Sequence, residues 1–371
     1  MPGLSWVSYA SNGTLDAGYN NANQLYANAV TFFGAPPTQI ASGTIATLQL
    51  DSGSSSFNPP FSTFSLGPTE NIAIQFKGYF TPNQSGNWTI YLGSGLTAPC
   101  DDFAVLFLGT PGSTIAPDAN FTVESSVPSN NLPFIRNLYN TTGNSKTVVL
   151  QAGMPYPILV YYNQGRYGYN FGLGFALNGG SLITDFAALT SVTPPPIPPP
   201  ITCFKKDARI LTDRGYVPVQ DLRKGDLVKT VSHGHVAIDS IGKKTVHHPA
   251  IETRIKDQLY LCSPAKYPEL VEDLVITGCH CILVSEFSDE TQKEKTIETN
   301  GKIYITDNHY RLPACVDYRA SIYKPAGEYT IYHFALENAD YYMNYGVYAN
   351  GLLVETCSKR YLKECSDMEL F

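Results

Sequence analysis

Residues 193–212 read TPPPIPPPITCFKKDARILT, and this stretch separates two parts of the chain that differ in composition. The prolines in its first eight residues exclude a helix or a central strand and favour a stiff polyproline II spacer. A cysteine follows soon after the last proline, at position 203. All seven histidines, and every cysteine except Cys100, lie after residue 200. Chemistry that pairs a cysteine with a histidine is therefore expected in the second part of the chain.

Length and composition set the broad class of protein. The chain has 371 residues, 43% of them hydrophobic and 15% charged, with a formal net charge of −7. This length predicts two domains, and the apolar content excludes general disorder. We expect neither nucleic acid binding nor a transmembrane segment, because there is no long basic cluster and no long apolar run. The start, MPGLSW, lacks the features of a signal peptide, so we expect synthesis in the cytosol and mostly reduced cysteines.

The pattern along the chain predicts an all-β protein with two domains. Residues 1–192 contain short apolar runs separated by Gly, Asn, Ser and Pro clusters, which is typical of a β-sandwich. Residues 193–202 form the proline-rich linker. Residues 203–371 form a second β-rich domain with a short C-terminal helix, since only the tail at 358–370 has a helical pattern.

Cys203 is a candidate nucleophile because of its place at the start of a domain. Its thiol can attack the carbonyl of Thr202 and convert the amide into a thioester by an N-to-S acyl shift. The thioester is higher in energy, so the site must strain the amide, stabilise the oxyanion and protonate the departing nitrogen. Thr277 and His280 supply a hydroxyl and an imidazole for these tasks. The alternative is that Cys203 and His280 are ordinary buried core residues.

Four ordered motifs support the first interpretation. They are CFKKDARILT at 203–212, DLRKGDLV at 221–228, TGCH at 277–280 and NGLLV at 350–354. Together they resemble the Hint family, the hedgehog and intein self-processing domains. The resemblance implies a Hint fold that cleaves the bond between Thr202 and Cys203 without a cofactor. It also implies that His280 bonds the amide nitrogen of Cys203 and that Thr277 distorts and orients the bond.

The sequence departs from the Hint pattern at two places. Inteins end in His-Asn before a nucleophilic residue, whereas here Glu355 and Thr356 precede Cys357. Without the asparagine the second cleavage has no leaving mechanism, so we expect cleavage on one side only, followed by capture of the thioester by water, a small thiol or an amine. His333 stands where the family usually has an aspartate, and two roles stay open for it: a base, or a bridge between strands.

The other cysteines and histidines have plainer interpretations. Cys279 and Cys281, with Cys262 and Cys315, invite a zinc interpretation, but neighbouring ligands alternate in direction along a strand and no CxxC pair is present. The paired histidines at 233 and 235 and at 247 and 248 lie in polar, loop-like stretches. We expect these four side chains to be solvated.

The first domain carries its own motifs, GYFTP at 78–82, SGNWTIYL at 85–92 and CDDFAVLFLG at 100–109. They resemble the protective-antigen-type β-domain, including its GLEYA and flocculin lectin branch. Two adjacent carboxylates, Asp101 and Asp102, repel each other unless a cation lies between them, and hard oxygen ligands suit calcium. The resemblance implies a Ca²⁺ bound by Asp101, Asp102 and Asn163 that coordinates sugar hydroxyls. The alternative is a solvated acidic turn.

The combination of the two domains resembles virion proteins of large DNA viruses. We therefore expect a virion-associated protein, made in the cytosol, whose Hint domain releases or attaches a glycan-binding β-domain. Its expected partners are glycans or other virion proteins, and an extracellular surface is the alternative location. The competing hypothesis is a non-enzymatic structural or adhesion protein, such as a minor capsid protein, in which the Hint fold is inactive.

Overall fold

The computed structural model of the protein describes part of the chain before residue 201 and all of the chain from residue 201 onward. The described residues are 1–11, 15, 22–51, 71–93, 99–100, 103–117, 127–137, 141–142, 144–165, 170–196 and 201–371. The chain forms two compact units, Met1–Pro198 and Pro199–Phe371. Strands account for 45% of the structure and helices for 11%, so the predicted all-β class is confirmed. Within the described ranges, no helix has the length and apolar character needed to cross a membrane.

The described part of the N-terminal unit contains helix α1 (Ala22–Gly34) and a series of short strands. The strands are β1 (Leu4–Ala10), β2 (Gln39–Ile45), β3 (Leu48–Asp51), β4 (Ile72–Phe80), β5 (Gly86–Leu92), β6 (Pro99–Cys100), β7 (Phe103–Leu108), β8 (Ile135–Asn137), β9 (Thr141–Thr142), β10 (Asn144–Leu150), β11 (Tyr156–Gln164), β12 (Asn170–Leu177) and β13 (Thr190–Ser191).

These strands form two antiparallel sheets around one core, as a β-sandwich requires. One sheet has the order β2-β1-β4-β11-β7-β8, with β13 beside β4, and the other has the order β10-β5-β12-β3, while β6 pairs with β9. Phe80 from the first sheet stacks on Phe175 from the second, with ring centroids 4.3 Å apart, and Trp88 packs against the edge of Phe80. Large aromatic rings from both sheets therefore fill the space between them.

Helix α1 covers the outer face of the first sheet. Its Tyr26 and Phe33 pack against Phe107 and Tyr161, and the rings of Phe33 and Tyr161 are stacked with centroids 4.1 Å apart. Strand β11 is consequently buried along its whole length, which explains its continuous apolar sequence. The sequence prediction does not include α1, although residues 25, 26, 29 and 33 have helical spacing.

The C-terminal unit contains helix α2 (Glu290–Asn300), a 3₁₀ turn at Val219–Asp221, a π-helical turn at Tyr361–Cys365 and many short strands. The strands are β14 (Phe204–Lys205), β15 (Arg209–Thr212), β16 (Gly215–Pro218), β17 (Leu227–Lys229), β18 (His235–His248), β19 (Leu259–Cys262), β20 (Leu274–Thr277), β21 (Cys281–Val284), β22 (Ile305–Thr306), β23 (His309–Pro313), β24 (Ser321–Ile322), β25 (Gly327–Leu336), β26 (Gly346–Ala349), β27 (Leu352–Glu355) and β28 (Glu369–Leu370).

The strands of the C-terminal unit form one continuous sheet of short strands. Its order is β22-β23-β21-β27-β26-β15-β17-β18-β25-β14-β20-β19-β24, with β16 beside β15 and β28 beside β18. Strands β18 and β25 form a long antiparallel ladder. The short strand β14 lies between β25 and β20, because Phe204 pairs with Tyr332 on one side and Ile276 on the other. This arrangement places the start of the unit inside the sheet.

The helices of this unit differ from the prediction in number and length. Helix α2 is not predicted, because its exposed sequence has little apolar periodicity; it is defined by its ends, where Asp289 caps the Gln292 N–H and Gly301 adopts φ +82°. The short C-terminal helix predicted in the tail at 358–370 is present but confined to residues 359–365, most of them the π-helical turn, because Glu369 and Leu370 pair with β18 instead of continuing a helix.

The predicted solvation is wrong for His248. Residues 235–248 form strand β18 rather than a loop, and His248 is fully buried. Its Nε2 donates to the carbonyl of Tyr323 at 2.7 Å, and its Nδ1 accepts the N–H of Leu259 at 3.0 Å. His233 and His235 are exposed, as predicted.

Candidate functional site

Cys203 lies directly before β14 and is fully buried. Because Phe204 is paired on both sides, the sheet holds the backbone that follows the cysteine. The Sγ atom of Cys203 lies 3.9 Å from the Sδ atom of Met368. The predicted nucleophile therefore occupies a fixed, enclosed position within the unit.

Thr277, the last residue of β20, makes three contacts around Cys203. Its backbone N–H donates to the Cys203 carbonyl at 3.0 Å. Its hydroxyl accepts the N–H of Cys203 at 2.9 Å and donates to the carbonyl of Ile201 at 2.7 Å. The nitrogen that Thr277 binds belongs to the bond between Thr202 and Cys203, so this threonine contacts the predicted scissile amide directly.

Thr202, the other residue of that bond, is held by Tyr361. The N–H of Thr202 donates to the Tyr361 hydroxyl oxygen at 3.2 Å. Burial raises the pKa of Tyr361, and its hydrogen bonds with the backbone and side chain of Thr202 offset only part of this effect. The hydroxyl is consequently protonated at neutral pH. Tyr361 is not among the predicted site residues, because nothing in the local sequence of the tail connects it with position 202.

The thiol of Cys203 is not activated by its surroundings in this conformation. Burial raises its pKa well above the usual value for a thiol, and the charge of Lys244 lowers it only partly. The side chain is therefore a neutral thiol at pH 7, and a nearby group must accept its proton when the sulfur attacks.

His280 is the candidate that the sequence motifs assign to that proton transfer. It is fully buried, and its ring centroid lies 4.4 Å from that of Phe204, the residue after Cys203. Burial lowers the pKa of His280 to about 3, so the imidazole is neutral at pH 7 and a weak base in this conformation. Among the described residues, neither ring nitrogen has a hydrogen-bond partner.

The role assigned to His280 by resemblance is not seen in this structure. The amide nitrogen of Cys203 is bonded by Thr277, not by His280. The reason is local: the N–H of His280 donates to the Thr277 carbonyl at 3.0 Å and closes a tight turn after β20. Thr277 at the strand end faces Cys203, while the turn directs the His280 ring onto Phe204.

His333 lies on β25 beside His280. It is fully buried, and the centroids of the two imidazoles are 5.1 Å apart. Burial lowers its pKa well below the usual value for histidine, and His280 lowers it further. Its ring nitrogens have no hydrogen-bond partner in the described part of the chain, so it does not bridge strands by a hydrogen bond. Its role as a base stays a prediction.

Glu355 and Thr356, which stand at the positions of the intein His-Asn pair, make structural contacts within the unit. Glu355 is buried and forms an ion pair with Arg311, with an Nη1–Oε2 distance of 3.0 Å. The Thr356 hydroxyl accepts the N–H of Tyr345 at 2.9 Å. Cys357 is buried, and burial raises the pKa of its thiol. Neither Glu355 nor Thr356 has the side-chain amide nitrogen through which an asparagine cyclises.

The remaining cysteines do not support the zinc interpretation. Cys262, Cys279, Cys281 and Cys315 are buried thiols whose pKa values are raised by burial. Within the residues that the structure describes, no three His, Cys, Asp or Glu side chains come together in a way that could hold a metal ion. These cysteines therefore act as small core residues.

The predicted calcium ligands are described only in part. Asp101 and Asp102 lie outside the described residues. Asn163 is buried on β11, and its backbone pairs with Phe103, the residue that follows Asp102. The fold thus brings Asn163 next to the strand that starts directly after the two aspartates. Calcium binding stays a prediction.

The fold and the site define an all-β protein whose second unit carries, close to its start, a buried cysteine with its backbone N–H bonded to a threonine hydroxyl. Residues 202–359 match the family model of the Hint domain. Residues 72–176 match the family model of the GLEYA domain. The C-terminal unit thus carries a Hint domain and the N-terminal unit a GLEYA domain, and both predicted resemblances are confirmed. No curated protein matches the chain.

Solved structures with low similarity to the chain include two adhesin domains and an intein. The epithelial adhesin 6 A domain from Candida glabrata, in complex with Galβ1-3GlcNAc, is 16% identical, with a TM-score of 0.38, covering 58% of this chain and 91% of that chain. A PA14 sugar-binding domain from an RTX adhesin is 16% identical, with a TM-score of 0.33 and coverages of 49% and 94%. The gp41-1 intein is 11% identical, with a TM-score of 0.23 and coverages of 42% and 98%.

Proposed function

We propose that the protein cleaves its own chain between Thr202 and Cys203 by an N-to-S acyl shift. The observation that carries this proposal is the 2.9 Å hydrogen bond from the Cys203 N–H to the Thr277 hydroxyl. That nitrogen is the leaving group of the reaction. A hydroxyl placed on a leaving group contributes to catalysis when it stabilises the transition state more than the ground state.

The reaction exchanges one bond for another within the chain. The Cys203 sulfur attacks the carbonyl carbon of Thr202, a carbon–sulfur bond forms, and the bond from that carbon to the Cys203 nitrogen breaks. The thiol proton ends on the departing nitrogen, and His280, whose ring lies against Phe204, is the group proposed to relay it. As the nitrogen becomes pyramidal it gains a lone pair, to which the Thr277 hydroxyl can donate once it releases the Ile201 carbonyl. His333, against His280, is the second imidazole available to this transfer.

The thioester is then captured by water, a small thiol or an amine. The acceptor attacks the Thr202 carbonyl carbon, the bond to the Cys203 sulfur breaks, and the acceptor's proton passes to the released thiolate. The products are residues 1–202, with the acceptor on the new C-terminus, and residues 203–371. The second intein step is not proposed, because Glu355 and Thr356 replace the residues it needs.

Intact mass measurement on the full chain tests the proposal. Wild type incubated with dithiothreitol should yield the two fragments, and Cys203→Ala should yield neither. Cys262→Ala, at another buried cysteine of the same unit, is the matched control and should cleave as wild type does. A wild-type chain that stays whole with thiol or hydroxylamine would favour the competing hypothesis, a structural or adhesion protein with an inactive Hint fold.

For the N-terminal unit we propose calcium-dependent glycan binding through Asp101, Asp102 and Asn163. The match to the GLEYA domain and the position of Asn163 beside Phe103 support this proposal. Calorimetry on the full chain, with Ca²⁺ and then β-lactose as the probe, tests it against Asp102→Asn. Asp221→Asn, an acidic residue of the other unit, is the control. Absence of calcium-dependent heat in wild type would remove the proposal. A role in a virion stays a prediction.

A further inference from the structure

Residues 358–371, here called the strap, cross the predicted cleavage site. They follow β27, form the π-helical turn at Tyr361–Cys365 and end in β28 beside β18. Two strap side chains contact the two residues of the scissile bond. Tyr361 accepts the N–H of Thr202, and Met368 lies against the Cys203 sulfur at 3.9 Å.

We propose that the strap holds the scissile bond in place and keeps acyl acceptors away from Cys203 until it opens. This inference rests on the proposed self-cleavage and assigns a regulator to the same site. Tyr361 is a positioning residue on the acyl side of the bond, and Met368 is a cover over the nucleophile. Neither contributes a reacting atom.

The inner side of the strap is fitted to the sheet beneath it. Gly242 on β18 has no side chain, and a Cβ atom there would lie 2.9 Å from the Met368 Cβ and 3.1 Å from a Leu362 methyl group. A larger residue would push Met368 outward. Leu362 is buried with Cys357 and Ala335. The strap is therefore seated by apolar packing directly above the site.

The outer side of the strap is held by weaker contacts. Strand β28 pairs with β18 at only two positions. Lys363 forms an ion pair with Asp239 at 2.9 Å, and Lys243 forms one with Glu369 at 3.3 Å, all with side chains partly in solvent. Partly exposed ion pairs contribute little to stability, and segments held in this way open locally more easily than a long ladder such as β18 with β25.

The consequence is a separation of the two chemical steps. With the strap closed, Cys203 has no exposed surface, so the acyl shift is confined to groups already in the site. Capture of the thioester needs an external acceptor, which must approach the Thr202 carbonyl from solvent. Opening of the strap admits it, and larger acceptors need a wider opening than water or a small thiol.

Alkylation of Cys203 in the full chain measures the opening without requiring cleavage. Iodoacetamide labelling with peptide mass mapping is performed in a Cys365→Ser background, because Cys365 is the partly exposed cysteine of the strap. Met368→Ala should accelerate Cys203 labelling on the order of tenfold, since it removes the half-buried side chain that lies against the Cys203 sulfur. Met343→Ala, which packs on another cluster, is the control and should label as the parent does.

Charge reversal supplies a second test that leaves the packed face intact. Lys363→Asp and Asp239→Lys should each raise the labelling rate about two- to fivefold, the effect of losing a partly exposed ion pair. The double variant should return toward the parent rate. Labelling unchanged in Met368→Ala and in both single reversals would overturn the strap proposal.

Capture kinetics connect the strap to the reaction. In wild type, glutathione should capture the thioester more slowly than 2-mercaptoethanol, and Met368→Ala should reduce that difference. Tyr361→Phe should slow fragment formation while Tyr342→Phe, at an exposed tyrosine, should not. An unchanged ratio between the two thiols would argue against gating. Faster labelling with no fragments in any variant would sustain the strap and reject the self-cleavage.

Discussion

Replacing Thr277 by valine is the most direct test of the site geometry. The substitution keeps the shape of the side chain and removes the hydroxyl that binds the Cys203 N–H at 2.9 Å and the Ile201 carbonyl at 2.7 Å. Each buried group left without a partner costs about 1–3 kcal/mol. If the bond at the leaving nitrogen is worth that much in the transition state, cleavage should slow about 5- to 150-fold.

The assay separates a catalytic effect from loss of folding. Fragment formation is followed by intact mass, and the free energy of unfolding is measured by denaturant in a Cys203→Ala background, where no cleavage occurs. Thr277→Ser keeps the hydroxyl and loses a methyl group worth about 1 kcal/mol, so it should retain most of the cleavage rate. A Thr277→Val protein that cleaves within about twofold of wild type would refute the assigned role of the hydroxyl.

Two further predictions concern buried charge. The pKa of His280 is about 3 in the folded protein and about 6.5 in the unfolded chain, so below pH 6.5 protons bind the unfolded chain and favour it. The free energy of unfolding should therefore fall by about 1 kcal/mol between pH 6 and pH 5 through this residue. In denaturant titrations His280→Gln should show a smaller fall over this pH range than wild type, although the lowered pKa values of His333 and His248 keep part of the slope. An unchanged slope would contradict the burial argument. Arg311→Leu leaves Glu355 buried without its cation and should lower the free energy of unfolding by about 3–5 kcal/mol, with Arg311→Leu/Glu355→Leu recovering most of it. A cost under about 1 kcal/mol would mean that Glu355 is already neutral when paired.

The sequence motifs identify which residues form the site better than they identify which of these residues contact each other. Thr277 and Cys203 are adjacent, as the motif order implies, since strand pairing brings β20 beside β14. The hydrogen bond expected from His280 is instead made by Thr277, because the direction of a side chain after a tight turn depends on backbone geometry that a motif does not contain. The sequence analysis does not identify Tyr361, because only the folded structure brings this residue of the C-terminal tail next to Thr202.

The amino-acid sequence by itself determines the all-β class and both domain families, because alternating apolar residues, turn residues and ordered motifs are local properties of the chain. The positions of α1 and α2 depend on packing and on capping of the helix ends, and the weak apolar periodicity of these segments does not indicate either. Only the tertiary structure decides that Cys203 is a neutral, enclosed thiol and that two imidazoles lie side by side without hydrogen-bond partners among the described residues. Burial and ring contacts between residues far apart in the chain arise when the sheet closes, and no stretch of sequence encodes them alone.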